Sequence, residues 1–140
     1  MRLLSALAAT LTIATAPIAT SAFAGDSAGP IGLWLTEDGS AVVQMSTCGP
    51  ALCGMIVWSQ KPADARGHVL CGRAVLGDVV KSGADSWGKG WVYSPKTDSK
   101  YPVALTLPGD GKLRLHVSAG LFGKDQIWTR PSQAVARCAP

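Results

Sequence analysis

Short strand-like motifs stand near both ends of this chain, and no clear helical segment lies between them. Gly32-Leu33-Trp34 opens the first strand-like run, and Trp128-Thr129-Arg130 closes the last one. About six further strand-sized segments, divided by Gly, Pro and Asp turns, lie between the two motifs. A chain that begins and ends on strands can remove its exposed sheet edges by pairing its two ends. The pattern therefore predicts a closed barrel.

The predicted strands are short and follow one another through turns of hairpin length. They are expected over residues 31–36, 40–46, 54–59, 71–80, 91–93, 100–107, 113–118 and 126–130. The segment 71–80 fits a strand or a short helical turn, and 83–90 is expected to be a loop. We predict an all-β fold, a single small antiparallel up-and-down β-barrel of about eight strands. An interior of that size is either filled by side chains or holds one small ligand.

The first 24 residues have the features of a secretory signal peptide. An apolar stretch, Leu3–Ala16, is followed by the small-x-small cleavage pattern Ala22-Phe23-Ala24. A membrane anchor needs roughly 20 apolar residues, whereas this run is shorter and is broken by Pro17. We expect residues 1–24 to be removed and 25–140 to form one β-barrel domain without a membrane span. The predicted location is the periplasm or the extracellular medium.

The charge of the chain excludes few partners but argues against nucleic acid. The formal net charge is +4 for the full sequence, and it drops by one when Arg2 leaves with the leader. The lysines are scattered rather than clustered (Lys61, Lys81, Lys89, Lys100, Lys112 and Lys124). Scattered cations indicate an ordinary solvated surface or weak contact with anionic envelope surfaces, and not a nucleic-acid groove.

Four cysteines, Cys48, Cys53, Cys71 and Cys138, all follow the leader. In an oxidising compartment an even number of cysteines normally forms disulfides, and four allow three pairings. Cys48–Cys53 and Cys71–Cys138 are favoured because the first two flank a tight Gly-Pro turn. A thiol–disulfide exchange motif would have two residues between its cysteines rather than four.

No set of residues has the pattern of a catalytic or metal site. His116 falls on the polar face of a predicted strand, His68 falls in a loop, and Glu37-Asp38 precedes a turn glycine. A general base needs a nucleophile or an orienting partner, and no such combination is recognisable. A soft-metal set of Met45, Met55, His68 and Cys71 follows no ligand spacing that we recognise. We therefore predict a protein without a cofactor, a metal or an enzymatic activity.

Aromatic residues are the best candidates for ligand contact. The sequence has five tryptophans (Trp34, Trp58, Trp87, Trp91 and Trp128) and two tyrosines. Each indole brings a large apolar area and one hydrogen-bond donor. We take Trp58, Trp87, Trp91 and Tyr93 as candidate ligand-binding residues, the alternative being that they fill the core. Trp87 and Trp91 flank Gly88-Lys89-Gly90 and are expected to be partly exposed near a barrel rim.

Seven short motifs, in order, resemble a known family. They are Gly32-x-Trp34, Cys48-Gly49 with Cys53-Gly54, Ile56-Val57-Trp58, Trp87-x-x-Gly90, Tyr93-x-Pro95, Lys100-Tyr101 and Trp128-Thr129-Arg130. The set resembles the small exported bacterial proteins of the domain-of-unknown-function family number twenty-one forty-seven, over nearly the whole mature chain. Two departures are Ser94, where the family usually has Asp, and a shorter loop after Trp58 without the family's Asp-x-x-Asn.

A more distant resemblance is to lipocalin-like barrels. In these proteins a tryptophan of the first strand packs at the closed end, and an arginine from the last strand covers it. Trp34 and Arg130 match the two positions, and the resemblance implies a structural role for both. A guanidinium stacks favourably on an indole face while its donors satisfy carbonyl groups.

The function predicted from these features is binding rather than catalysis. We expect an exported, non-catalytic, lipocalin-like protein that holds a small apolar or amphipathic ligand in the cell envelope. A filled barrel that acts as a protein-interaction or envelope-maintenance module is the alternative, with an envelope protein as the partner. An enzyme with an unrecognised site is a further alternative.

Overall fold

Residues 29–138, which the computed structural model describes, form eight strands in chain order. The strands are β1 Gly32–Leu35, β2 Ala41–Cys48, β3 Ala51–Ser59, β4 Ala74–Gly83, β5 Ser86–Ser94, β6 Ser99–Gly109, β7 Lys112–Ala119 and β8 Phe122–Thr129. The predicted leader, residues 1–24, and the predicted mature start at Gly25 lie outside the described residues. Within residues 29–138, no helix has the length and apolar character to cross a bilayer.

The sheet closes on itself, as the strand-like ends of the sequence predict. Each strand pairs antiparallel with its neighbour in the chain, and β1 pairs with β8 through Leu35 and Thr129. The ring therefore has the order β1 to β8 without a crossover. The prediction of an all-β, up-and-down barrel of about eight strands is confirmed.

Two segments differ from the sequence prediction. Residues 83–90 were expected to be a loop, but β5 already begins at Ser86. A register shift between Trp87 and Gly90 interrupts the ladder to β6, and Lys89 has a φ of 61° there. This β-bulge breaks the two-residue alternation, so the segment does not look like a strand in the sequence. The segment 71–80 is a strand, not a helical turn, and starts later at Ala74.

The hydrophobic core fills the barrel interior on inward-facing positions. The fully buried side chains of this core are Trp34, Val43, Met45, Leu76, Val79, Leu105, Leu113 and Leu115. On β7 the alternation is regular, since Leu113 and Leu115 are buried while Arg114 and His116 are exposed. This period of two is the pattern of a strand with one face on the core.

Two disulfides constrain the ends of the barrel domain. Cys48 and Cys53 join the β2–β3 turn with a Cα–Cα distance of 5.9 Å. Cys71 and Cys138 join the β3–β4 loop to the C-terminal tail at 5.8 Å. The backbone N–H of Cys138 also donates to the carbonyl of Val57 at 2.6 Å. The tail therefore returns from β8 to β3.

Candidate functional site

One end of the barrel is closed by Trp34 and Arg130. The guanidinium carbon of Arg130 lies 3.7 Å from the centre of the Trp34 ring. Its Nη1 donates to the carbonyl of Leu33 at 3.1 Å, and its Nη2 donates to that of Gly29 at 2.8 Å. Burial lowers the pKa of Arg130 from its usual value, but an arginine remains charged in proteins. The structure thus brings together the two residues that the lipocalin resemblance singles out.

The opposite end opens into a cavity of about 410 Å³. The β1–β2, β5–β6 and β7–β8 turns lie at this end, together with the long β3–β4 loop. Apolar side chains form most of its wall (Val43, Ile56, Val75, Val92, Val117 and Trp128). The fully buried core residues Met45, Leu76, Leu105, Leu113 and Leu115 do not line it. One half of the barrel is therefore packed, and the other half is hollow.

Two polar residues enter the cavity wall from β8. In the β7–β8 ladder Trp128, Gln126 and Lys124 pair in turn with the inward residues Leu113, Leu115 and Val117. All three β8 residues line the cavity, so they form one inward row. The indole Nε1 of Trp128 donates to Gln126 Oε1 at 3.2 Å. Glu37, Asp38 and Lys96 add charges at the rim.

Of the aromatic residues proposed for ligand binding, only Tyr93 lines this cavity. Trp87 is 8% exposed within the core, which corrects the expectation that it lies partly exposed at the rim. Trp91 packs outside the barrel against Gly77, and its Nε1 donates to Asp78 Oδ2 at 2.9 Å. The β5 bulge explains both positions, because the extra residue makes Trp87 and Val92 face inward and Trp91 outward. Trp58, on β3, is partly buried away from the cavity.

Tyr93 is held by a group of polar residues beside the cavity mouth, the Asp64 cluster (Asp64, His68, Arg73, Tyr93 and Asp98). The Asp64 side chain has no exposed surface. Its Oδ1 accepts hydrogen bonds from the backbone N–H groups of Arg66 and His68, each at 2.9 Å. Its Oδ2 lies 2.9 Å from both the Tyr93 hydroxyl and His68 Nδ1. The Tyr93 hydroxyl is also 2.9 Å from Asp98 Oδ1.

Cations complete the Asp64 cluster and set its electrostatics. Arg73 stacks 4.0 Å from the Tyr93 ring centre and lies 3.5 Å from Asp64 Oδ2. Burial raises the pKa of Asp64, but the hydrogen bonds from His68 and Tyr93 outweigh it, and the net pKa is well below the usual range. Burial and the hydrogen bonds to Asp98 and Asp64 raise the pKa of Tyr93 to about 12. The cluster therefore holds an ionised Asp64 and a neutral Tyr93 at physiological pH.

The Asp64 cluster is built for structure more than for chemistry. Asp64, His68 and Asp98 offer metal-ligand atoms within 4.8 Å of one another. However, Arg73 contacts both carboxylates and Arg66 Nη1 lies 3.1 Å from Asp98 Oδ2, so positive charge is already supplied. Among residues 29–138, no serine, threonine or cysteine side chain hydrogen-bonds to His68. The soft-metal set is not assembled either, since Cys71 is in a disulfide and Met45 is buried in the core.

The sequence prediction does not include the polar residues that the fold gathers at the cavity. In the sequence, Lys124 is one of the scattered cations and Gln126 is the first residue of the predicted last strand. Their spacing of two from Trp128 could have placed them on one face. Asp64, Arg73 and Asp98 carry no such pattern, because they lie outside the strands and meet only when Tyr93, 29 residues from Asp64, joins them.

Comparisons with known proteins agree with this fold. The profile of the family described as "Uncharacterized protein conserved in bacteria (DUF2147)" matches residues 32–130. No curated protein matches the sequence. The solved structure of HP1028 from Helicobacter pylori, described as a member of the lipocalin family, is similar with a TM-score of 0.63. The two chains are 21% identical, and the match covers 73% of this chain and 82% of that one. The fold is thus lipocalin-like, and the chain belongs to the DUF2147 family of uncharacterised bacterial proteins.

Proposed function

We propose that this protein is an exported, non-catalytic binding protein that holds one small apolar or amphipathic molecule in the open half of its barrel. The observation that carries the proposal is the cavity of about 410 Å³ at the unpacked end. Small-molecule sites in proteins are typically concave, mostly apolar and about 300–1,000 Å³ in volume. The volume of the cavity falls within this range. The cavity lies beyond the packed core residues, at the open end of the barrel.

The cavity wall supports binding by apolar burial. Branched side chains from five strands face one space, with Trp128 beside them (Val43, Ile56, Val75, Val92 and Val117). Removing apolar ligand surface from water contributes about 25 cal/mol per Å². Because disulfides persist in oxidising compartments, Cys48–Cys53 and Cys71–Cys138 support the part of the proposal that concerns export.

A titration with Nile red, a neutral dye whose emission shifts in apolar surroundings, tests the proposal. We expect saturable binding of about one dye per chain of purified mature protein. Val117→Trp places an indole in the cavity and is expected to weaken binding by at least about tenfold. Ser118→Trp is the matched control, because Ser118 is the next residue of β7 and faces the other side of the sheet.

Thermal unfolding of both variants checks that the barrel is intact. The proposal fails if the emission of Nile red does not change at any protein concentration. It also fails when Val117→Trp binds the dye as well as the wild type does, because the dye then lies outside the cavity.

A second candidate function is a protein-interaction module that uses the barrel rim. One observation favours it: at the β7–β8 turn Leu121 is 100% exposed and Phe122 is 81% exposed. Large apolar side chains at a turn tip are unusual for a surface without a partner. The Val117→Trp variant separates the two functions. It should weaken the binding of Nile red in the cavity, but it should leave the binding of a protein partner at the turn tip unchanged. Replacing Leu121 and Phe122 by serine should abolish a rim contact and leave cavity binding unchanged.

A further inference from the structure

The inward row of β8 carries a cation where a barrel interior normally has apolar groups. Lys124 pairs with Val117, which packs against the core, and two residues further along the row lie Gln126 and then Trp128. Successive side chains of a strand point to opposite faces, so Lys124 shares the cavity face with Trp128. Among residues 29–138, Lys124 forms no salt bridge. Lys124 is exposed at the mouth and lines the mostly apolar cavity, so it brings a positive charge without a salt-bridge partner to this opening.

Gln126 provides a second donor beside it. The indole N–H of Trp128 donates to Gln126 Oε1, and this fixes which end of the amide is the acceptor. The amide Nε2, a donor of two hydrogens, has no protein acceptor within the described residues. Lys124 and Gln126 therefore present donors from the same row to whatever occupies the cavity. Such a pair matches an oxyanion rather than a cation or a donor group.

The carboxylates at the rim are occupied by protein donors. Asp38 Oδ1 accepts hydrogen bonds from the hydroxyls of Thr36 and Ser40 and from the Ser40 backbone. Glu37 Oε1 accepts one from the backbone N–H of Ile127. Burial raises the pKa of Asp38. The hydrogen bonds from Ser40 and Thr36 and the charge of Lys96 lower it by more, so the net pKa is below the usual value. Lys96 therefore lies close enough to Asp38 to act on its charge, and Lys124 is the other lysine that lines the cavity.

The positions along β8 also give the orientation of a bound molecule. Lys124 is nearer the β7–β8 turn at the mouth, and Trp128 lies four residues deeper, about 13 Å along the strand. Val43, Val92 and Trp128 belong to the apolar wall of the same cavity. A charged group would therefore stay near solvent, and an apolar chain would point into the barrel.

We propose that Lys124 and Gln126 bind the carboxylate head group of an amphipathic ligand. The apolar chain of this ligand would lie against the apolar wall of the cavity. This inference rests on the proposed function, because it specifies which small molecules the cavity selects. It assigns a role in ligand specificity to two residues that are not among the aromatic candidates predicted from the sequence. The head group contributes selectivity, and the buried chain contributes most of the affinity.

Competition against bound Nile red tests the charge preference. Decanoic acid and decanamide have the same chain and differ in head-group charge at pH 8. We expect the acid to displace the dye at a concentration about tenfold to a hundredfold lower than the amide, the range for hydrogen bonds to a charged group. Lys124→Met should remove this preference, whereas Lys124→Arg should keep it. Lys112→Met, at the closed end, is the matched control and should behave as the wild type.

The outcomes distinguish this inference from the proposed function. If the acid and the amide compete equally well in the wild type, the head-group assignment is wrong, although the cavity still binds. If Lys124→Met weakens the acid and the amide to the same extent, its side chain shapes the cavity and its charge does not select, which also overturns the assignment. If neither molecule competes with bound dye, the head-group assignment fails, while dye binding that is lost in Val117→Trp would still support the proposed function.

Discussion

At the scale of single residues, Asp64 determines what the cavity mouth can offer a ligand. Its carboxylate is fully buried and accepts bonds from the backbone of the β3–β4 loop and from Tyr93 on β5. It therefore ties the loop to the barrel wall. The same contacts occupy the Tyr93 hydroxyl, and Arg73 covers the Tyr93 ring. Tyr93 is for this reason a structural residue of the mouth, and the donors that we propose for a ligand are those of Lys124 and Gln126 on β8.

The depressed pKa of Asp64 predicts an acid-sensitive barrel. Its folded-state pKa is below the ordinary value of 3.8, so the stabilisation from this carboxylate is complete above about pH 4 and is lost as the pH falls further. We expect Asp64→Asn to be less stable than the wild type at pH 7 and to lose less stability between pH 5 and pH 2. Urea unfolding at several pH values measures both effects.

Asp110→Asn is the control for this prediction. Asp110 is exposed and has a φ of 57°, a conformation that asparagine also tolerates. The free energy of unfolding should change with pH in the same way for the wild type and for Asp110→Asn. A wild-type pH dependence in Asp64→Asn would mean that other carboxylates cause the acid sensitivity.

At the scale of elements, the β4–β5 pair carries the strongest local constraint in the barrel. A Cβ atom on Gly90 would lie 2.3 Å from Val79 Cγ2 and 2.6 Å from the carbonyl oxygen of Gly77. A Cβ on Gly77 would lie 2.6 Å from the Trp91 ring. The two strands approach so closely because the bulge at Gly88–Gly90 bends β5, and glycine is the residue that permits such an approach.

This close approach predicts different costs for two neighbouring glycines. Gly90→Ala should lower the free energy of unfolding by about 1–3 kcal/mol, because the clash with Gly77 involves backbone and cannot be relieved by rotating a side chain. Gly88→Ala should change it by less than about 0.5 kcal/mol, since nothing lies within 4 Å of its added Cβ. Denaturant unfolding of both variants checks the difference. Equal costs would show that β5 can relax around the bulge.

At the scale of the whole molecule, two disulfides reinforce a barrel that backbone hydrogen bonds already close. β1 and β8 meet over a short ladder, with Leu35 and Thr129 as its registered pair. The Cys71–Cys138 disulfide then ties the tail beyond β8 to the loop that carries Asp64, across a separation of 67 residues. Cys48–Cys53 closes a separation of only 5 residues within one hairpin. The long closure therefore constrains both the barrel seam and the cavity mouth.

Removing the two disulfides should have unequal effects. On the chain-entropy account, replacing Cys71 and Cys138 by serine should cost about 4 kcal/mol, and replacing Cys48 and Cys53 about 2 kcal/mol. Loss of the Cys71–Cys138 disulfide should also weaken Nile red binding, because the β3–β4 loop is then no longer anchored beside the cavity mouth. Thermal and denaturant unfolding, with the dye titration, measure these effects. A larger loss for the short loop would contradict the entropic explanation.

The sequence by itself determined the class of fold, and the tertiary structure decided the site. Alternation in segments such as Leu113–Val117, with turn residues between segments, was enough to predict eight strands and a closed ring, because periodicity and turn chemistry are local properties. The faces of β5 were not predictable, since a regular strand would place Trp87 and Trp91 on the same face. One bulged residue between Trp87 and Gly90 makes Trp87 face inward and Trp91 outward. Likewise, Asp64 and Tyr93 meet across 29 residues, and the hollow half of the barrel depends on how side chains of all eight strands pack. Contacts and volumes of that kind arise from the joint arrangement of distant segments, which no local pattern encodes.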